Sequence, residues 1–154
     1  MKKTTILTAF LVSTAAITLA FAHGGATGIV KQRMDGMMAM GKSLGAVADM
    51  FKGKRQYDAE IVAQSADTLK QHAVEIETLF PDSKASREGK ATEALPEIWQ
   101  RNDEFMAIAA QLVAAADQLK LVAGSSDQQA ARQAFAGVAK TCSTCHRDFR
   151  KPKN

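Results

Sequence analysis

The apolar positions of the chain recur every three or four residues through four long tracts, separated by glycine, proline and short polar runs. The first tract runs from about Thr27 to Phe51, with Ile29, Arg33, Met37, Met40, Leu44, Val47 and Phe51 on one stripe, and stops at Lys52-Gly53. That spacing predicts an amphipathic helix. The second covers about Asp58 to Leu79 through Ile61, Ala66, Leu69, Ala73, Ile76 and Leu79; Pro81 and the polar stretch Asp82 to Thr92 then form the longest connection. A third begins near Pro96, whose fixed φ suits a first helical turn, and carries Ile98, Trp99, Phe105, Ile108, Leu112, Ala115 and Leu119 as far as Gly124. Ser126 or Asp127 caps the fourth, in which Ala131, Phe135, Val138, Cys142 and Cys145 share a face before Pro152. No tract alternates with period two for long enough to make a strand. The expectation is an all-α chain, an antiparallel four-helix bundle whose core can house a cofactor.

The segment ahead of the first helix reads differently. Lys2 and Lys3 precede an apolar run from Ile6 to Phe21, and Ala20-Phe21-Ala22 fits a small-x-small cleavage site. Residues 1–22 therefore read as a signal peptide and residues 23–154 as the exported domain, with His23 at its start. A membrane anchor is the alternative, for which the run is short. The net charge of +4 falls to +2 once Lys2 and Lys3 are gone, which gives no electrostatic reason to expect nucleic acid as a partner. No stable membrane insertion is expected after cleavage, and the compartment suggested is a bacterial periplasm.

Both cysteines stand in Cys142-Ser143-Thr144-Cys145-His146, close to the C-terminus. C-x-x-C-H is the spacing of covalent haem attachment: two thiols for the two vinyl groups, and an adjoining imidazole for the iron. Two rival readings exist. A redox dithiol shares C-x-x-C but usually follows a strand at a helix N-terminus. Structural zinc wants four ligands, and the chain offers only these two thiols with His23, His72 and His146. On a helix, Cys142, Cys145 and His146 fall at i, i+3 and i+4 and share a face. A second axial ligand has to come from another helix, and the first supplies Met34, Met37, Met38 and Met40. Periodicity narrows these to Met37 and Met40, because Met34 and Met38 lie on a flank with Val30 and Gly41. Methionine is equally an adaptable core filler.

Several separate stretches then agree with one family. Arg33, Met37 and Gly41 follow one another at intervals of four; Lys52-Gly53 closes the first helix; Pro96-Glu97-Ile98-Trp99 opens the third, with Phe105 six residues on; Cys142-x-x-Cys145-His146 is followed by Phe149-Arg150. Over roughly Gly28 to Arg150 the chain resembles the class II cytochromes c, the cytochrome c-prime family. The resemblance implies a four-helix bundle carrying one covalent haem c, with His146 as proximal ligand and residue 37 on the distal side. It also separates two branches. A low-spin branch has a methionine bound to iron and carries electrons; a high-spin branch leaves the distal site open to nitric oxide or carbon monoxide. The stretch Lys31 to Met38 looks more like the low-spin branch, which implies an electron carrier, not an enzyme, with His146 and Met37 on the iron and redox proteins as partners. Family members are often dimers through their first two helices, which leaves room for a homodimer here.

Smaller expectations follow. Arg33 suits a haem propionate by its fork geometry, with a solvated surface arginine as the alternative. Lys140, Arg147, Arg150, Lys151 and Lys153 make a basic end, read either as cations suited to a helix C-terminus or as a dock for an acidic redox partner. Trp99 reads as a core aromatic near the haem. His72, in mid-helix, has no partner motif.

Overall fold

The computed structural model describes residues 24–125 and 127–152. Among the described residues six helices are formed: α1 Gly28–Phe51, α2 Ala59–Leu79, α3 Lys84–Glu88, α4 Glu97–Gln100, α5 Asn102–Ala123 and α6 Gln128–Phe149. Among the described residues there is no strand, only one isolated bridge between Ala94 and Arg150. The helix starts follow local chemistry. Asp58 accepts from the N–H groups of Glu60 and Ile61, and Asp127 from those of Gln129 and Ala130, so two orphan donors are satisfied at each start. Ser126, the other expected cap, lies outside the described residues. After α1 the chain turns at Gly53, whose φ of 72° is a left-handed conformation that a side chain would resist.

The four long helices make the bundle, each antiparallel to its neighbours. Lys70–Asp117 and Lys120–Asp67, at 2.8 and 2.7 Å, set α2 against α5 with the sequence running in opposite directions. Being exposed, these pairs fix register more than they add stability. Stability comes from the shared core, where Leu69, Leu119, Val47, Val62 and Val138 are wholly buried; each such aliphatic side chain contributes about 1.5–3 kcal/mol. Among the described helices, α5 has the length and apolar composition to cross a membrane. Its Phe105, Leu112, Ala116 and Leu119 face the bundle core, however, and its Asp117 and Lys120 make the ion pairs just named.

Three details depart from the expected pattern. The connection after α2 is not plain loop: Ser83 caps a short helix, α3, and the segment from Phe80 to Pro96 lies across one end of the bundle. The third tract breaks at Arg101, which leaves helical geometry (φ −120°, ψ 48°) and lies over the Phe149 ring at 4.8 Å, while Asn102 Nδ2 takes up the freed Ile98 carbonyl. On α1 the most buried stripe is Val30, Arg33, Met40, Val47 and Met50; Ile29 and Phe51 are only partly covered. The stripe shifts because α3 covers the start of α1: a Cβ on Gly89 would fall 2.5 Å from Val30 Cγ2.

Candidate haem-binding site

Helices α1 and α6 meet closely at one end of the bundle and part at the other. At the closed end Arg132 donates to the Phe51 carbonyl at 2.8 Å, and the Phe51 and Phe135 rings lie 5.4 Å apart. Toward the opposite end two cavities open, of about 310 and 460 Å³, each within the ordinary range for a cofactor pocket. The first is walled by Met40, Leu44, Leu69, Ile76, Ile108 and Leu112, with Cys142 on α6. The second is walled by Arg33, Met34, Met38, Phe80, Ile98, Phe149 and Arg150. Met37, Gly41, Phe105, Cys145 and His146 line both. The helical spacing of 142, 145 and 146 has thus brought two thiols and an imidazole to one wall, and Met37 stands on the wall supplied by α1.

The donor set and its surroundings fit a haem. The walls are mainly aliphatic and aromatic, as a porphyrin face needs, and Gly41 adds room because a Cβ there would meet nothing within 4 Å. One cationic donor is left over for an anionic group: Arg150 Nε is buried without a hydrogen-bond partner, with Glu93 Oε2 4.0 Å away. The other such atom among the described residues, Glu97 Oε2, belongs to a residue that lines neither cavity.

The thiols argue against a redox dithiol. Burial pushes both Cys142 and Cys145 up, and Cys145, with Cys142 and Asp148 adding to the effect, reaches about 11. A dithiol that exchanges disulfides needs the opposite, a thiolate favoured at neutral pH near a helix N-terminus; these lie in the last turns of α6. As for metal sites of other kinds, no group of three or more His, Cys, Asp or Glu side chains is gathered among the described residues.

Arg33 is not a solvated surface arginine. It is 5% exposed and donates from Nη1 to Ser86 Oγ at 3.1 Å, and from Nη2 to the Ser86 carbonyl at 2.8 Å and to Thr92 Oγ1; its guanidinium also lies 4.7 Å from the Phe80 ring centre. Burial pulls its pKa down, yet three acceptors and an aromatic face hold the cation. Trp99 packs against the core cluster of Ile98, Phe105 and Phe149, as a core aromatic does. It lines neither cavity; its indole N–H donates to the carbonyls of Phe80 and Pro81, and Arg87 stacks on it at 4.7 Å, so it fastens α4 to the end of α2. Of the other methionines, Met40 is buried in the core and Met38 is half exposed. His72 does have a partner: its Nδ1 lies 2.6 Å from Glu75 Oε2, holding that carboxyl below its ordinary pKa, and the ring packs against Gly36. In the basic end, Arg147 pairs with Asp148 at 2.7 Å and Lys151 Nζ donates to the Thr92 carbonyl at 3.0 Å. His23 and Lys153 lie outside the described residues, as does the expected signal segment 1–22.

A bundle of this topology with C-x-x-C-H in its last helix defines a class of haem protein, and comparison with known proteins agrees. Residues 28–150 match the family model described as cytochrome C'. A cytochrome c-556 of Agrobacterium tumefaciens is 35% identical over 126 residues, covering 82% of this chain and 99% of the relative. The solved cytochrome c' of Rhodopseudomonas palustris superposes with a TM-score of 0.75 at 30% identity, covering 83% of this chain and 99% of that one. A nitric oxide complex of a variant cytochrome c prime from Alcaligenes xylosoxidans gives a TM-score of 0.72 at 26% identity, over 81% of this chain and 94% of that one. The chain belongs to the cytochrome c' family, and is by that membership a c-type haem protein.

Proposed function

We propose that the chain is a periplasmic carrier of single electrons, holding one haem c through thioethers at Cys142 and Cys145, with His146 and Met37 as its axial ligands. What supports this most directly is that Met37 and His146, from facing helices, line the same two cavities. When bound, the haem supplies a one-electron ferric/ferrous couple. The chain's own residues do the rest. Cys142 and Cys145 fix the group to α6, His146 presents its imidazole from the same face, and Met37 presents a soft thioether from α1, a ligand that raises the reduction potential. The aliphatic walls exclude water, and Arg150 Nε offers its unused N–H to a propionate. A rigid bundle keeps reorganisation between the two oxidation states small. Export by the segment 1–22 brings the chain to the compartment where such attachment takes place, and a redox protein with an acidic face suits the basic end of α6.

A second reading leaves the distal site open and makes the protein a binder of nitric oxide or carbon monoxide; the likeness to the Alcaligenes nitric oxide complex favours it. One measurement separates the two. The absorption spectrum of the haem-loaded protein has low-spin bands with a methionine-to-iron charge-transfer feature under the first reading, and high-spin bands with ready carbon monoxide uptake under the second.

A further inference from the structure

The segment from Phe80 to Pro96 is fastened on both sides of the opening between α1 and α6. On the α1 side the fastening is Arg33, bound to Ser86 and Thr92. On the α6 side it is backbone: Leu95 N–H donates to the Phe149 carbonyl at 3.1 Å, Lys151 N–H donates to the Glu93 carbonyl at 2.8 Å, and Ala94 bridges Arg150. Direct contact between α1 and α6 is slight, and the hydrogen bond between them, from Arg132 to the Phe51 carbonyl, lies at the far end from these fastenings. The strap is also held against its own preference. Ala91, next to Thr92, has a φ of 64°, a conformation that a residue with a Cβ keeps only when its surroundings over-determine it.

We infer that Arg33 is a positioning residue for the distal ligand: through Ser86 and Thr92 it sets how far α1 stands from α6, and so whether Met37 reaches the iron. This rests on the reading of Met37 as a ligand. Arg33 lies one helical turn before Met37, so a force on its guanidinium acts on the same stretch of α1. The strap in turn is bonded to residues 149–151, one turn beyond His146. The two axial positions are thereby joined through Arg33 and the strap, a route far shorter than the covalent chain between them. If the latch weakens, α1 can move outward, and a state with Met37 off the iron gains population at the expense of the ligated one.

The test uses the haem-loaded protein and the variants Ser86→Ala and Thr92→Val, neither of which alters a residue lining the cavities. Both are expected to raise the ratio of high-spin to low-spin haem about five-fold, the factor that corresponds to one net hydrogen bond, and to weaken the methionine-to-iron band in step. Asp127→Ala, at the opposite end of α6, serves as a control that lowers stability without touching the strap; its spectrum is expected to match the wild type. A shift in Arg33→Lys alone, with Ser86→Ala and Thr92→Val unmoved, would overturn the inference and make Arg33 a direct propionate partner. Loss of thermal stability with no spectral change in any of the three would overturn it as well, leaving the latch merely structural. A high-spin wild type would reject Met37 ligation itself, and is distinguished from those outcomes before any variant is made.

Discussion

Met37 on α1 and His146 on α6 each line both of the cavities at the parted end of the bundle. Helix packing alone would close such a gap. It stays open because the contacts that draw α1 toward α6 lie at the Phe51–Arg132 end, whereas at the other end the two helices are joined through the strap of residues 80–96. A site with a donor on each wall is the result.

Met37→Ala is expected to turn a low-spin spectrum high-spin and to make the ferrous protein take up carbon monoxide, read by absorption before and after exposure to the gas. Met40→Ala supplies the contrast. Its side chain is buried in the core, so truncation costs about 2 kcal/mol, the low end for a buried methionine because a cavity already adjoins it, while the ligand field is unchanged. A low-spin Met37→Ala protein would remove Met37 from the iron, and a high-spin Met40→Ala protein would put Met40 there.

The cysteine thiols give a pH-dependent prediction for chain made without haem. Burial raises both, Cys145 to about 11, so the folded state keeps a proton there that the unfolded chain releases near pH 9. A thiol raised in this way stabilises the fold below the unfolded value, and the contribution is lost as pH climbs from about 9 to about 11. Alkylation of Cys145 by iodoacetamide at pH 8 is accordingly expected to run about 100-fold slower than that of an unfolded cysteine, following its thiolate fraction. In the haem-loaded protein neither sulfur should react at any pH, since a thioether has no proton to lose. Rapid labelling of the folded haem-free chain at neutral pH would revive the dithiol reading.

How much of this was legible in the sequence follows the range of the interactions involved. The long helices, the caps at Asp58 and Asp127 and the shared face of Cys142, Cys145 and His146 depend on neighbours within four residues, and periodicity carries them. Met37 could be narrowed to a pair by spacing, but only the fold brings it to the cavities that His146 also lines. The features that periodicity leaves open or misses are long-range. Arg33 reads as a surface residue or a propionate partner because its acceptors, Ser86 and Thr92, are more than fifty positions away. Trp99 reads as a core aromatic and packs as one, but nothing local shows that its N–H is taken by the carbonyls of Phe80 and Pro81. The break at Arg101 has no glycine or proline to announce it; it is stabilised by Phe149 from another helix. The cap at Ser83, by contrast, is a local signal, masked by a stretch whose composition otherwise reads as polar loop.

Trp99→Phe tests the separation between fastening and chemistry. The change keeps a large ring but removes the donor shared by the Phe80 and Pro81 carbonyls, and is expected to cost about 1–2 kcal/mol in urea unfolding. Since Trp99 lines neither cavity, the haem spectrum and reduction potential should match those of the wild type. A change in spin state would place the indole close enough to the haem to act on it.

Gly89→Ala presses on the strap from its other face. An added Cβ would fall 2.5 Å from both the Ala85 carbonyl oxygen and Val30 Cγ2, and neither can easily give way, one being backbone of α3 and the other fully buried on α1. Relief requires α3 to lift away from α1, an overpacking cost of about 1–3 kcal/mol. The displaced α3 carries Ser86 with it, so the hydrogen bonds to Arg33 lengthen. If the strap governs the reach of Met37, Gly89→Ala should therefore raise the high-spin fraction as Ser86→Ala does, and the double variant should add little to either alone, because both act through one contact. Full additivity in the spectral change would mean that the two positions report on separate events, and α3 would then be packing without leverage on the iron.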